Sequence, residues 1–217
     1  MTKTRESITG FTGPMFAKKT LLMLHEISAA EATGRRVILF KPDIDDRYGK
    51  NIVRSRAGGK HIATPIDINH PEIIYDILDR RRLPVDIIAF DEIQFFKPSV
   101  VKVVRDISQS GIQVVYSALN RNYRGDTFST TIEKILPITT NLTVAEAKCM
   151  FPLNGNRWTC GADAQMTQRL INGEPDSYHS PTVIIEKPDT AVTYQARCLE
   201  HWKVPDLPTN RRINPHH

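Results

Sequence analysis

The chain has 217 residues, 40% of them hydrophobic, a formal net charge of +5 and a mean hydropathy of −0.33. That is enough for one α/β domain and a small appendage, and no apolar run approaches the length of a membrane span or forms a secretory signal core. The charge sits partly in Arg80-Arg81-Arg82 and Arg211-Arg212, which read as solvated surface; a nucleic-acid stripe is denser and interleaved with aromatics. Neither nucleic acid nor membrane is therefore an expected partner, and the cytoplasm is the expected location.

Ser7 to Phe11 predicts a short strand, and Leu21, Leu22, Leu24 and Ile27 recur at helical spacing after Thr20. Val37 to Phe40 predicts a buried strand, Ile73 to Leu78 a helix entered at Pro71, and Val85 to Phe90 a second buried strand rich in β-branched residues. Val100 to Ile107 reads as a helix, Ile112 to Tyr116 as a strand and Thr130 to Leu136 as a helix. This alternation predicts an α/β fold, a parallel sheet with flanking helices, over residues 1–140. From Asn141 the texture turns to short strands, turns and all three cysteines. That predicts a second small domain over 141–203, and the proline-bearing stretch 204–217 reads as a disordered tail.

Between the first strand and the first helix lies Gly13-Pro-Met-Phe-Ala-Lys18-Lys19-Thr20. It is a phosphate-binding loop apart from one letter: backbone N–H groups wrap phosphate, Lys19 reaches its oxygens and Thr20 offers a hydroxyl to Mg²⁺, but Lys18 stands where a second glycine belongs. The order strand, loop, helix puts an anion at a helix N-terminus. An ordinary surface turn is the alternative. Asp91-Glu92 follows the Val85–Phe90 strand, and acids at the C-terminal end of a parallel strand face the crevice where α/β ligands bind. Asp91 is thus a candidate Mg²⁺ ligand and Glu92 a candidate general base on a substrate hydroxyl; the alternative is an acidic pair that caps the next helix.

Cys198-Leu-Glu-His201 has the gap that lets one turn present two ligands to a tetrahedral ion, and Cys149 and Cys160 supply the second pair. A structural Zn²⁺ staple suits a small strand-poor domain. Three buried thiols without metal are the alternative in a chain with an odd cysteine count.

Several motifs in order make the chain similar to the zinc-containing thymidine kinases. They are Gly13-Pro-Met-Phe16, Lys41-Pro-Asp-Ile-Asp-Asp-Arg-Tyr48, Asp91-Glu-Ile-Gln-Phe-Phe96, Tyr123-Arg-Gly-Asp-Thr-Phe128, Thr167-Gln-Arg-Leu-Ile-Asn-Gly-Glu-Pro175 and Tyr194-Gln-Ala-Arg-Cys198. The resemblance, from about Ile8 to Trp202, implies a P-loop NTPase-like domain followed by a zinc-ribbon and lasso domain. It implies transfer of the γ-phosphate of ATP, with Mg²⁺, to the 5′-hydroxyl of thymidine or deoxyuridine, in a homotetramer. Carried over by position, Glu92 and Lys19 are catalytic. Gly13, Met15, Phe16, Ala17, Lys18, Lys19, Thr20, Asp45, Arg47 and Asp91 surround the nucleotide and its metal. Gln94, Phe95, Leu119, Tyr123, Phe128, Thr167 and Tyr194, with Met15, line the nucleoside pocket, and Cys149, Cys160, Cys198 and His201 hold zinc. The stretch from about Ile171 to Val192 matches the lasso.

Four positions depart from that pattern. Lys18 replaces the loop glycine, and on that ground a catalytically impaired relative that binds nucleoside or nucleotide as a sensor or assembly subunit is the alternative function. Tyr123 replaces a phenylalanine, which places a hydroxyl in the nucleoside wall. Arg157 stands three residues before Cys160, so Cys149 lies across an inserted loop, Met150 to Thr159. Arg56-Ala57 replaces the family's usual His with Asn or Asp.

Overall fold

The structure, a computed structural model, describes residues 7–46, 49–80, 84–153, 155, 157–184 and 191–208. The expectations for Arg47, Arg81, Arg82, Arg211, Arg212, lasso residues 185–190 and tail residues 209–217 lie outside the described residues.

In chain order the elements are β1 (Ile8–Gly13), α1 (Lys19–Ala32), β2 (Val37–Pro42), β3 (Ile52–Arg54), β4 (Lys60–Ile62), β5 (Thr64–Ile66), α2 (Ile73–Asp79), β6 (Ile87–Phe90), α3 (Ser99–Gln109), β7 (Gln113–Leu119), α4 (Thr130–Ile135) and β8 (Asn141–Val144). Six of them form one parallel sheet in the order β5-β2-β6-β7-β1-β8. Side chains alternate across it, as a period of two requires. Ile38, Phe40, Ile88, Phe90, Val114 and Tyr116 face α2, α3 and α4 through Ile74, Val100, Val104, Ile107, Ile132 and Ile135. Leu39, Ile87, Ala89 and Val115 face α1 through Met23, Leu24 and Ile27. Each such residue contributes about 1.5–3 kcal/mol when fully buried, and burial of both faces is why the strands read as continuous apolar runs. Gly10 leaves room for the Tyr116 ring: a Cβ there would lie 2.4 Å from Tyr116 Cζ.

The chain then forms β9 (Ala147–Lys148), β10 (Pro152–Leu153), β11 (Trp158–Thr159), β12 (Asp163–Ala164), β13 (Met166–Ile171), β14 (Glu174–Pro175) and β15 (Val192–Arg197). β9 pairs with β12, β10 with β11, and β13 with both β14 and β15, all antiparallel. Two boundaries differ from the sequence expectation. β8, read as part of the small domain, is the sixth strand of the main sheet and pairs with β1. Residues 204–206, read as the start of a disordered tail, accept hydrogen bonds: Pro205 C=O from Tyr178 N–H at 2.8 Å and Asp206 Oδ2 from Ser177 Oγ at 2.8 Å. No helix among the described residues is long and apolar enough to cross a membrane.

Candidate active site and metal centre

The turn leaving β1 is set by backbone angles that side chains rarely adopt. Gly13 has φ +142, and a Cβ there would lie 2.1 Å from the Ala145 carbonyl oxygen. Phe16 has φ 66, and Lys18, at the N-cap of α1, has φ 59 and ψ 22. Lys18 therefore occupies the left-handed conformation that a glycine adopts freely, at a cost of about 1–2 kcal/mol. The helix nonetheless starts in register, with Leu22 N–H donating to Lys18 C=O at 3.0 Å. Lys19 is buried and its Nζ donates to Pro14 C=O at 2.7 Å. Met15 N–H donates to Thr167 Oγ1 at 3.0 Å, which ties the loop to β13.

Asp91, at the end of β6, is 4% exposed and accepts hydrogen bonds at Oδ1 from Thr20 Oγ1 (2.9 Å) and Ser117 Oγ (2.5 Å). Burial pushes its carboxyl up to about 6, the neighbouring Glu92 adds to the rise, and the two hydroxyl donors oppose it. Because the folded value lies above the ordinary aspartate value of 3.8, the ionised group costs stability above pH 6, a cost relieved as pH falls from about 6 towards 3.8. Ser117→Ala deletes one lowering donor and is expected to move the Asp91 midpoint further up. Carboxyl-carbon NMR titration of the metal-free protein measures this, and an unmoved midpoint would disconnect Ser117 from Asp91.

Glu92 is also left-handed, with φ 50 and ψ 44, an arrangement that costs about 1–3 kcal/mol and persists where surroundings dictate it. Those surroundings are Ser117, whose Oγ accepts Glu92 N–H at 3.2 Å, and Gln94, whose Nε2 donates to Glu92 Oε2 at 2.6 Å. Gln94 Oε1 in turn accepts Leu119 N–H at 3.1 Å.

Lys18, Lys19, Thr20, Asp91 and Glu92 border one cavity of about 310 Å³. Of the residues expected around nucleotide and nucleoside, Met15, Phe16, Lys18, Lys19, Thr20, Asp45, Asp91, Glu92, Phe95, Leu119, Phe128 and Tyr194 line it. Phe95 and Phe128 meet edge to face at 5.5 Å. Gly13, Ala17, Gln94, Tyr123 and Thr167 do not line it. Gln94, expected at the nucleoside wall, is buried as the partner of Glu92. Tyr123, expected to bring a hydroxyl into that wall, is 2% exposed and donates instead to Ser177 C=O at 2.7 Å, with the Arg169 guanidinium 3.6 Å from its ring centre.

Ser117, Ile44 and Ile52–Ala57 belong to the site without an expectation from the sequence, whereas Thr182–Ile184 fall within the stretch matched to the lasso. A signal for Ser117 was present: a hydroxyl in the apolar run of β7, near the carboxyl end of a central parallel strand. Arg56, whose replacement of the family residue had no reading in the sequence, lies with its guanidinium 5.0 Å from the Phe16 ring centre beside the cavity.

The four expected metal ligands converge. The sulfurs of Cys149, Cys160 and Cys198 and a ring nitrogen of His201 all lie within 4.8 Å of one another. His201 Nδ1 is 3.3 Å from Cys198 Sγ and 3.8 Å from Cys149 Sγ; a tetrahedral zinc with Zn–S of about 2.3 Å needs edges of about 3.5–3.8 Å. Phe151 stacks on His201 at 4.1 Å, and Arg197 lies 4.7 Å over Phe151. Burial raises the Cys149 thiol, but hydrogen bonds from Cys198, Phe151 and His201 outweigh it and bring the thiol down to about 7. Arg197 is 5% exposed, and its Nε and Nη1 have no hydrogen-bond partner among the described residues. A buried cation beside the thiols is balanced when three thiolates on a divalent ion carry one net negative charge. The donor set therefore fits zinc. Ala17 of the loop packs against this cluster with Cys149 and Cys198.

Comparison with known proteins agrees with this geometry. The family model described as Thymidine kinase matches residues 6–202. The thymidine kinase of Mycoplasmoides gallisepticum is 34% identical over 212 residues, covering 97% of this chain and 87% of that protein. The thymidine kinase of Thermococcus kodakarensis is 34% identical over 197 residues, covering 90% of this chain and 93% of its own.

Proposed function

Because the chain belongs to the thymidine kinase family, we propose that this cavity transfers the γ-phosphate of ATP to the 5′-hydroxyl of thymidine or deoxyuridine. The observation that carries the reading is the convergence of Glu92, Asp91, Thr20 and Lys19 on one cavity whose remaining wall holds Phe95, Leu119 and Phe128. The flat base suits the aromatic wall. Glu92, held by Gln94, takes the proton of the 5′-hydroxyl as its oxygen bonds to phosphorus and the bond to the β-phosphate oxygen breaks. Lys19 leaves the Pro14 carbonyl to neutralise the transferring phosphoryl group. Thr20 and Asp91 would hold Mg²⁺, which neutralises phosphate charge when bound.

Cys149, Cys160, Cys198 and His201 hold a structural Zn²⁺ in this reading; all four positions are filled by protein, as in closed structural sites. Three free cysteines suit a reducing compartment such as the cytoplasm. Leu142 and Val144 stand exposed on the edge strand β8, which supports self-association as the homotetramer that the family resemblance implies.

Lys18→Gly tests the reading against an impaired loop. Relief of the left-handed strain, partly offset by the glycine's larger unfolded freedom, is expected to stabilise the protein by about 0.5–1 kcal/mol, a rise of about 1–4 °C in unfolding midpoint. Thymidine monophosphate formation from Mg²⁺-ATP is expected in both proteins, within about threefold of each other, because the helix register and the Lys19 position already hold with lysine in place. Product from the glycine variant alone would show a loop disabled by Lys18, and product from neither would remove the kinase reading.

A further inference from the structure

Thr182, Val183 and Ile184 line the cavity beside Phe128 and Tyr194, at the end of a segment that runs from Ser177. Two tyrosine hydroxyls hold this segment. At one end Tyr194 Oη donates to Ile184 C=O at 2.5 Å. At the other, Tyr123 Oη lies 2.7 Å from Ser177 C=O and 3.1 Å from Ser180 C=O.

The second anchor is built rather than incidental. The Tyr123 ring is buried against the Arg169 guanidinium, which is itself wholly buried and bonded to Asp176 Oδ2 at 2.7 Å. Arg124 Nε donates to Tyr123 Oη at 3.3 Å while its Nη2 donates to Ser180 C=O at 2.5 Å. A hydroxyl that accepts from a cation donates more strongly, and the ring lies between Arg169 and Arg124. A phenylalanine would fill the same space and hold nothing.

We propose that the Tyr123 hydroxyl is a positioning group that pins the 177–184 segment as the nucleoside wall and so sets the KM for the nucleoside without touching the reacting atoms. The inference rests on the thymidine kinase reading of the cavity.

Tyr123→Phe tests it, since the variant keeps the ring on Arg169. Loss of the anchor is expected to raise the thymidine KM about five- to tenfold, leave kcat and the ATP KM within about twofold, and speed proteolytic cleavage within 177–184 in the ligand-free protein. An unchanged thymidine KM, or a loss confined to kcat, overturns the proposal. If the variant does not fold, Arg124→Met removes the bonds to Tyr123 Oη and Ser180 from the same anchor, and the same split in KM supports the proposal while an unchanged KM overturns it. If the parent protein does not phosphorylate thymidine, the kinase reading fails on its own, and the cleavage rate still decides for or against the anchor.

Discussion

Replacing Glu92 with glutamine is expected to lower thymidine turnover about a thousandfold while leaving the nucleoside Kd within about threefold. A general base contributes about 10²–10⁴ in rate, and the amide cannot accept the 5′-hydroxyl proton. Binding survives because the substitution is isosteric and both anchors remain. The backbone N–H still donates to Ser117, and the new amide oxygen still accepts from Gln94. Steady-state turnover and calorimetric binding on the same preparation measure the two quantities. Turnover within tenfold of the parent would mean that another group takes the proton.

Stripping the metal is expected to weaken ATP binding at least tenfold as well as to loosen the small antiparallel region. The reasoning runs through Ala17, which sits in the phosphate loop and packs with Cys149 and Cys198 in one buried cluster. Without an ion, the ligands lose the bonds that hold them within 4.8 Å of one another and the cluster opens, so the loop loses the surface that Ala17 rests on. Metal analysis should find about one zinc per chain before chelation, and ATP affinity should fall at least tenfold afterwards and return when zinc is restored. An ATP Kd unmoved by complete zinc removal would separate the two sites.

Much of the fold is legible in residues alone because burial on both faces of a parallel strand leaves an unmistakable apolar run, as at Val37–Phe40 and Val85–Phe90. The edges are not. β5 contains Pro65, tolerable only because an edge strand can spare a donor, and the β8 residues are all exposed, so neither carries the core signal. The same limit governs the site. Glu92, which faces the cavity, follows from its place after a strand, whereas Phe95 is assigned only by the family resemblance. Gln94 and Tyr123 belong to the nucleoside wall only by the family resemblance. Their polar atoms, however, are engaged by backbone groups distant in sequence, Gln94 Oε1 by Leu119 N–H and the Tyr123 hydroxyl by Ser177 C=O. Ser117 escaped notice for the same reason: its meaning lies in Asp91, 26 residues away.

The hairpin of β10 and β11 lies between Cys149 and Cys160, and Cys160 N–H returns to Phe151 C=O at 2.9 Å. An excursion that closes on itself adds length without moving its ends. Ligand count and convergence in space, not the interval between cysteines in the chain, are then what evolution must preserve at this knuckle. The exposed Trp158 tip becomes a place where residues can be gained or lost in pairs at little expense to the ion below.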